Sequence, residues 1–204
     1  MIANWDVMGM RATRSDSLVL EDCQLPESAV VYRSDDIREF RAQTSSWAWG
    51  SYTAVYLGVA CGIYTELLRV VRARQVPVYS QSLAYHPDVR RQVAQLSTEL
   101  ESARLITYRS AWLYDTQGPT AESTAALFRA KYAVGEAVSH IARVALTLSG
   151  SHGIFKGGRI EQLFRDGALA PLHAPPSDFC LWNMGIYELD LDPTQVIAPL
   201  KPAI

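Results

Sequence analysis

Apolar residues recur at three- and four-residue steps over three long stretches, the period of a helix buried along one side. From Ser45 to Arg74, Trp49, Tyr52, Tyr56, Val59, Ile63, Leu67 and Val70 form such a stripe without an intervening proline. Ser34-Asp-Asp-Ile-Arg-Glu, just before it, predicts a helix start: a capping serine with acids in the first turn. Gly50, Ala54, Gly58, Ala60 and Gly62 interleave with the stripe and would let a neighbouring helix come close. Arg69, Arg72 and Arg74 fall in the last turns, where cations complement the helix dipole. After a loop bounded by Pro77 and Pro87, a second helix is predicted from Asp88 to Asp115. Val93, Leu96, Leu100, Ala103 and Tyr108 line one side of it. Gly118-Pro119-Thr120 is a break. A third helix follows from Thr120 to Leu148, with Leu127, Val134, Val138, Ile141, Ala145 and Leu148 at helical spacing. A short helix is predicted from Gly158 to Leu169. His173-Ala-Pro-Pro-Ser-Asp178 breaks the chain again, and Ser177 or Asp178 can cap a last helix ending near Glu188.

The first 33 residues have a different pattern. Ser17-Leu-Val-Leu-Glu-Asp-Cys-Gln-Leu-Pro26 is rich in strand formers and stops at a proline. Gly9 and Arg14–Ser17 read as turns. About two strands cannot stand alone, so this opening reads as the tail of a sheet completed elsewhere. The expected fold is mainly α: an up-down helical bundle over residues 34–190, preceded by a few β-strands from an incomplete domain at 1–33. A proline-bearing tail follows at 191–204.

Composition narrows the function. With 204 residues, 49% of them apolar, the chain can bury a sizeable core. A formal net charge of −2 offers no field for nucleic acid or an anionic membrane. Cys23, Cys61 and Cys180 are far apart and odd in number, which fits a reducing compartment. They and the four histidines, His86, His140, His152 and His173, form no metal-ligand spacing. The start, Met1-Ile-Ala-Asn-Trp-Asp, has neither the basic residues nor the apolar run of a secretory leader. Apolar runs are interrupted by Arg, Glu, Gln or Ser before membrane-span length. These features together predict a cytoplasmic protein.

The stretch with the most chemistry is Leu148-Ser-Gly-Ser-His-Gly-Ile-Phe155, a glycine-bearing turn after a long helix. Gly150 and Gly153 permit positive φ and close backbone approach, and freed backbone N–H groups would suit a phosphate. The same spacing also fits Gly150 as a plain helix C-cap, and the residues alone leave both readings open.

In their order, these pieces resemble the C-terminal half of the acyl-CoA dehydrogenase superfamily of flavoproteins. Four segments carry the resemblance. Trp5-Asp-Val-Met-Gly-Met-Arg-Ala-Thr13 with Leu18–Pro26 is similar to the end of the family's middle β-domain. Gly58-Val-Ala sits on the first long helix. Glu101-Ser-Ala-Arg-Leu-Ile-Thr-Tyr-Arg-Ser-Ala-Trp112 matches the second. The glycine turn and Arg165-Asp166 match the family's Gly-Gly-x-Gly and Arg-Asp at the same separation. The resemblance implies FAD, with FMN as the alternative. It also implies a homo-oligomer, dimer or tetramer, or a separate chain that supplies the missing domains.

The resemblance also implies site residues. Arg74 stands where the family has an arginine that reaches a neighbour's flavin pyrophosphate, although Phe-Gly does not follow here. Gly150, Ser151, His152 and Gly153 fall on Gly-Gly-x-Gly, with Ser151 replacing a glycine. Thr147 falls where a glutamine often binds the cofactor. Arg165 and Asp166 imply a pair that holds the bundle together. One departure concerns the base. Straight-chain dehydrogenases carry a glutamate about nine residues after the arginine of Arg-Asp, where Ala174 stands here. The other branch's position, near Ala48 or Trp49, has no carboxylate either. Abstraction of a proton α to a thioester needs a base. The His173–Asp178 segment instead resembles the branch containing two-component flavin monooxygenases, which makes His173, with Ser177 and Asp178 behind it, the catalytic candidates. The expected function is a flavin-dependent oxidoreductase acting on an acyl-CoA-like or related substrate. A monooxygenase-type hydroxylase is one alternative. The other is a non-catalytic helical module that associates through the face bearing Trp47, Trp49, Tyr52 and Tyr56.

Overall fold

A computed structural model describes residues 1–33, 35, 37–76, 78 and 80–196, with the side chains at 37–39 and 41–43 outside that description. Three long helices, α1 (Ile37–Ala73), α2 (Pro87–Gln117) and α3 (Ala121–Ser149), are followed by the shorter α4 (Arg159–Ala168) and α5 (Ser177–Glu188). Ser34, proposed above as the first cap, lies outside the described residues.

Helix α3 is the centre of the bundle and packs against α1, α2, α4 and α5. Its start is set by a capping box: Thr120 Oγ1 accepts from the Ser123 amide and Ser123 Oγ from the Thr120 amide. The core runs from Tyr56, Ile63 and Leu67 of α1 through Leu96 and Leu100 of α2 to Val134, Val138 and Ile141 of α3. Ile160 and Leu163 of α4 close it. Gly167 lets α4 lie tight on this layer, since a Cβ there would stand 3.1 Å from Ile63 Cδ1 and 3.3 Å from Val138 Cγ2.

Several local expectations are corrected. Tyr108, placed above in the core stripe of α2, is exposed; Thr107 and Ser110 are buried on that helix instead. The cap of α2 is His86, whose Nδ1 accepts from the Asp88 amide, with Pro87 in the first turn. The loop before α2 contains a short antiparallel pair, β1 (Gln75–Val76) with β2 (Gln81–Ser82). Neither Ser177 nor Asp178 caps α5; Pro176 occupies that position without a side-chain hydrogen bond. Residues 44–73 of α1 do have the length and apolarity of a membrane-crossing helix, contrary to the sequence expectation. In this fold the Tyr56, Ile63, Leu67 and Val71 face of that helix is buried in the bundle.

The first 33 residues do not form strands. They hold one isolated bridge, Ile2 to Ser17, and two 3-10 turns at Arg11–Thr13 and Glu27–Ala29. A strand needs a partner's backbone groups, and Leu18, Val19, Leu20 and Leu25 are exposed with no strand beside them among the described residues. The segment is nonetheless docked. Arg165 Nη1 donates to Met8 O at 2.7 Å and Asp166 Oδ1 accepts from the Met10 amide at 2.6 Å. Between these bonds Gly9 passes so close to α4 that a Cβ would lie 2.2 Å from Arg165 O. The Arg-Asp pair therefore clamps the N-terminal segment to the bundle.

A Gly9→Ala substitution should lift this segment and break both charge-assisted hydrogen bonds, each worth about 1.5–3 kcal/mol. Trypsin should then cut after Arg11 and Arg14 faster than in the parent protein. Unchanged cleavage rates would show that the clamp does not hold.

Candidate functional site

Two groups of residues stand apart from ordinary packing, one where α1 and α3 end and the other beside the middle of α1. Tyr56 and Arg74 are 18 residues apart in sequence, or roughly 27 Å along a helix axis.

At the far end, α3 stops at Ser149 and Gly150 is its C-cap, with φ 61° and ψ −151°. This backbone region is open to glycine and essentially closed to other residues. The Gly150 amide donates to Thr147 O, so the C-cap reading holds and that N–H is already committed. Arg74, just past α1, reaches over the turn. Its Nη1 donates to Leu148 O at 2.9 Å, and the guanidinium lies where a Gly150 Cβ would be, 2.9 Å away. The fold thus joins two predicted cofactor residues, Arg74 and Gly150. Ser151 and His152 are exposed on the following turn. Gly153 is buried, its Cα face against Ser149 Cβ and Leu146, so it packs the turn onto α3. Thr147 is exposed and its hydroxyl donates back to Arg143 O at 2.9 Å.

Beside the middle of α1, an aromatic cleft of about 430 Å³ lies between that helix, the turn after α4 and the clamped N-terminal segment. Tyr52, Tyr56 and His173 form one side, and Trp5, Met10 and Thr13 another. The His173 ring meets Tyr52 edge-on, with centroids 4.6 Å apart, and lies 5.6 Å from the Tyr56 ring. His173 keeps an exposed edge. Desolvation of the rest, with the Lys131 charge as a smaller cause, lowers its pKa from the ordinary value. Tyr56 is buried, and burial, then the Asp166 charge, pushes its phenol up to about 12. Its hydroxyl has no hydrogen-bond partner among the described residues. No carboxylate lines the cleft among those residues.

The other two catalytic candidates sit elsewhere. Ser177 Oγ donates to Glu136 Oε1 at 2.7 Å, tying the start of α5 to α3. Asp178 is exposed in the first turn of α5. Neither lines the cleft that holds His173. Sequence reasoning passed over Lys131, which is buried beneath this cleft. The signal was present: Lys131 lies four residues after Leu127 and three before Val134, inside an apolar stripe. It also treated Tyr52 and Tyr56 as packing residues, because an aromatic at helical spacing reads the same whether it faces a core or a cleft.

An all-α bundle with a glycine-capped central helix and an aromatic cleft beside a clamped N-terminal arm defines a helical domain of the acyl-CoA dehydrogenase type. A family model, acyl-CoA dehydrogenase, C-terminal domain, matches residues 50–172, and the chain belongs to this family. Family members are FAD-dependent flavoproteins. The chain is 25% identical over 173 residues to the mitochondrial short-chain specific acyl-CoA dehydrogenase of Rattus norvegicus, covering 85% of this chain and 41% of that one. It is 28% identical over 190 residues to the indole-3-acetate monooxygenase of Pseudomonas putida, covering 89% and 49%. Its fold matches glutaryl-coenzyme A dehydrogenase in complex with glutaryl-CoA, with a TM-score of 0.74 and 20% identity over 82% of this chain and 42% of that one. The chain spans less than half the length of these relatives.

Gly150→Ala should cost about 1–3 kcal/mol from the forced backbone region and displace the Arg74 guanidinium. Thermal unfolding checks the first effect. A melting temperature equal to the parent's would mean the turn adopts another backbone path.

Proposed function

We propose that this chain is the C-terminal, helical side of a flavin site in a flavin-dependent oxidoreductase, with FAD as the cofactor. The observation that carries this reading is the pairing of Arg74 with the Gly150 turn where α1 and α3 end, together with the aromatic cleft that holds His173 beside the middle of α1. Arg74 has a neutral carbonyl as its partner, which leaves its charge and remaining N–H groups for a diphosphate. Tyr52, Tyr56 and His173 offer ring faces and edges suited to a planar aromatic group. The roughly 27 Å between the clusters suits two flavins of an oligomer, each taking one cluster. Bound FAD would supply the two-electron chemistry. This chain's residues would hold the diphosphate, wall off the reacting face and place the His173 imidazole at it.

Within this reading, one observation favours the monooxygenase-type hydroxylase over the acyl-CoA dehydrogenase. The cleft holds an imidazole and no carboxylate among the described residues, and Ala174 stands at the position of the straight-chain base. The likeness to an indole-3-acetate monooxygenase points the same way. An aromatic acid would then be the substrate class, with a dimer or tetramer, or a partner chain, completing the site. Exposed Trp47, Leu105, Tyr108 and Trp112 supply apolar surface for such assembly. A cytoplasmic setting belongs to the same reading.

The test is made on the assembled protein, with whatever polypeptide completes the fold. FAD should bind and raise the melting temperature, by mass action on the native state. Arg74→Ala should weaken FAD binding by about tenfold, the worth of one charge-assisted hydrogen bond. Reduced flavin and oxygen should hydroxylate an aromatic acid, and His173→Ala should slow this by about 100-fold, the lower range for a lost proton-handling group. Anaerobic bleaching of the flavin by an acyl-CoA would instead establish the dehydrogenase. Absence of any flavin binding would overturn both and leave the helical module.

A further inference from the structure

Lys131 is 1% exposed, in the middle of the most enclosed helix of the protein. An ammonium removed from water without a counter-ion is costly, and the surroundings of Lys131 offer little compensation. Its Nζ donates to Ala170 O at 2.9 Å and lies 5.7 Å from the centroid of the Tyr56 ring. Cys180 stands close by, but burial pushes its thiol up to about 11, so it brings no negative charge at neutral pH. Glu136 acts on Lys131 from a distance while engaged by the Ser177 hydroxyl. Burial lowers the Lys131 pKa despite both.

The carbonyl that Lys131 holds is at the start of the turn that carries His173. Beyond Ala170, the amides of Leu172 and His173 both donate to Leu169 O, at 3.0 and 2.9 Å. Tyr56 touches both groups, with its ring 5.7 Å from Nζ and 5.6 Å from the imidazole. We propose that Lys131 is a positioning residue for His173: its ammonium pins the turn at Ala170 and sets a positive charge behind the imidazole. The role in turnover rests on the reading of His173 as the group that faces the reactants.

A cation there disfavours a second one, so the imidazole is held neutral and able to accept or donate a proton at the cleft wall. Among the described residues no carboxylate lines the cleft beside His173, although the Asp166 charge reaches Tyr56. From α1 come Tyr52 and Tyr56; from the N-terminal arm, uncharged Trp5, Met10 and Thr13. Asp166 of α4 is bound by the Met10 amide, Cys180 of α5 donates to Pro175 O, and Asp178 is exposed. The His173 pKa in the fold is depressed. Its contribution to stability is therefore present above the unfolded value of about 6.5 and lost as pH falls through the lower folded value.

The test is a histidine-selective NMR titration of the full chain, with His173 assigned from His173→Gln. Wild-type His173 should titrate below the ordinary value. Lys131→Gln keeps a donor to Ala170 and removes only the charge. It should raise the proton affinity of His173 by roughly three- to tenfold, the scale of one nearby charge, while Lys131→Arg leaves it low. An unshifted His173 in Lys131→Gln, or an ordinary value in the wild type, overturns the proposal, and the wild-type measurement stands even if a variant does not fold. Flavin binding with no shift would overturn this coupling alone. A shift in a protein that never binds flavin would overturn the functional reading and leave the coupling in place.

Discussion

The enclosure of α3 is the constraint on which the rest of this protein depends. With α1, α2, α4 and α5 all packed against it, a polar group on its buried side has to find its partner inside the bundle. Ser123 solves this at the start by donating to Gly118 O, and Ser149 at the end by donating to Ala145 O. Lys131 solves it in the middle by reaching the Ala170 carbonyl beyond α4. The Ser123 and Lys131 bonds also each fix a connection: the Gly118–Thr120 break and the segment that carries His173. Satisfying α3 therefore places the parts of the site.

The same enclosure separates the site into two clusters. Arg74 and Gly150 meet because α1 and α3 are neighbours whose ends coincide, and a guanidinium can occupy the space above a residue without a Cβ. His173 meets Tyr52 and Tyr56 because α4 is short and the turn after it falls back against α1. The Arg165–Asp166 clamp then brings Trp5 and Met10 across the cleft. A residue pair that looks purely structural thus holds one wall of the proposed reaction chamber in place.

Much of this is legible in the chain. The three apolar stripes, the break at Gly118-Pro119-Thr120 and the glycine after Ser149 anticipate the long helices and their ends to within a few residues, because helix periodicity and caps are local. The strand pattern at Leu18–Leu20 misleads for a related reason. A local preference for extended backbone becomes a strand only when another strand lies beside it. Tyr108 fails for a simpler reason: it stands five residues after Ala103, off the three- and four-residue steps, whereas Thr107 and Ser110 keep those steps and are buried. The site is less legible than the fold. Ser177 and Asp178 are near His173 in sequence, yet Ser177 bonds Glu136 on α3 while His173 turns toward α1.

By itself the sequence determined the helical class, a glycine turn at Gly150 and the absence of a glutamate at the familiar position, since each depends on residue type and near neighbours. Only the tertiary structure decided which charges lose their water and which aromatic faces stay open. The burial of Lys131, the placing of Arg74 over Gly150 and the meeting of Tyr56 and His173 in a cleft with no carboxylate among its described lining residues follow from contacts 39 or more residues apart in sequence. Desolvation depends on everything that surrounds a group, and no short stretch of chain contains that information.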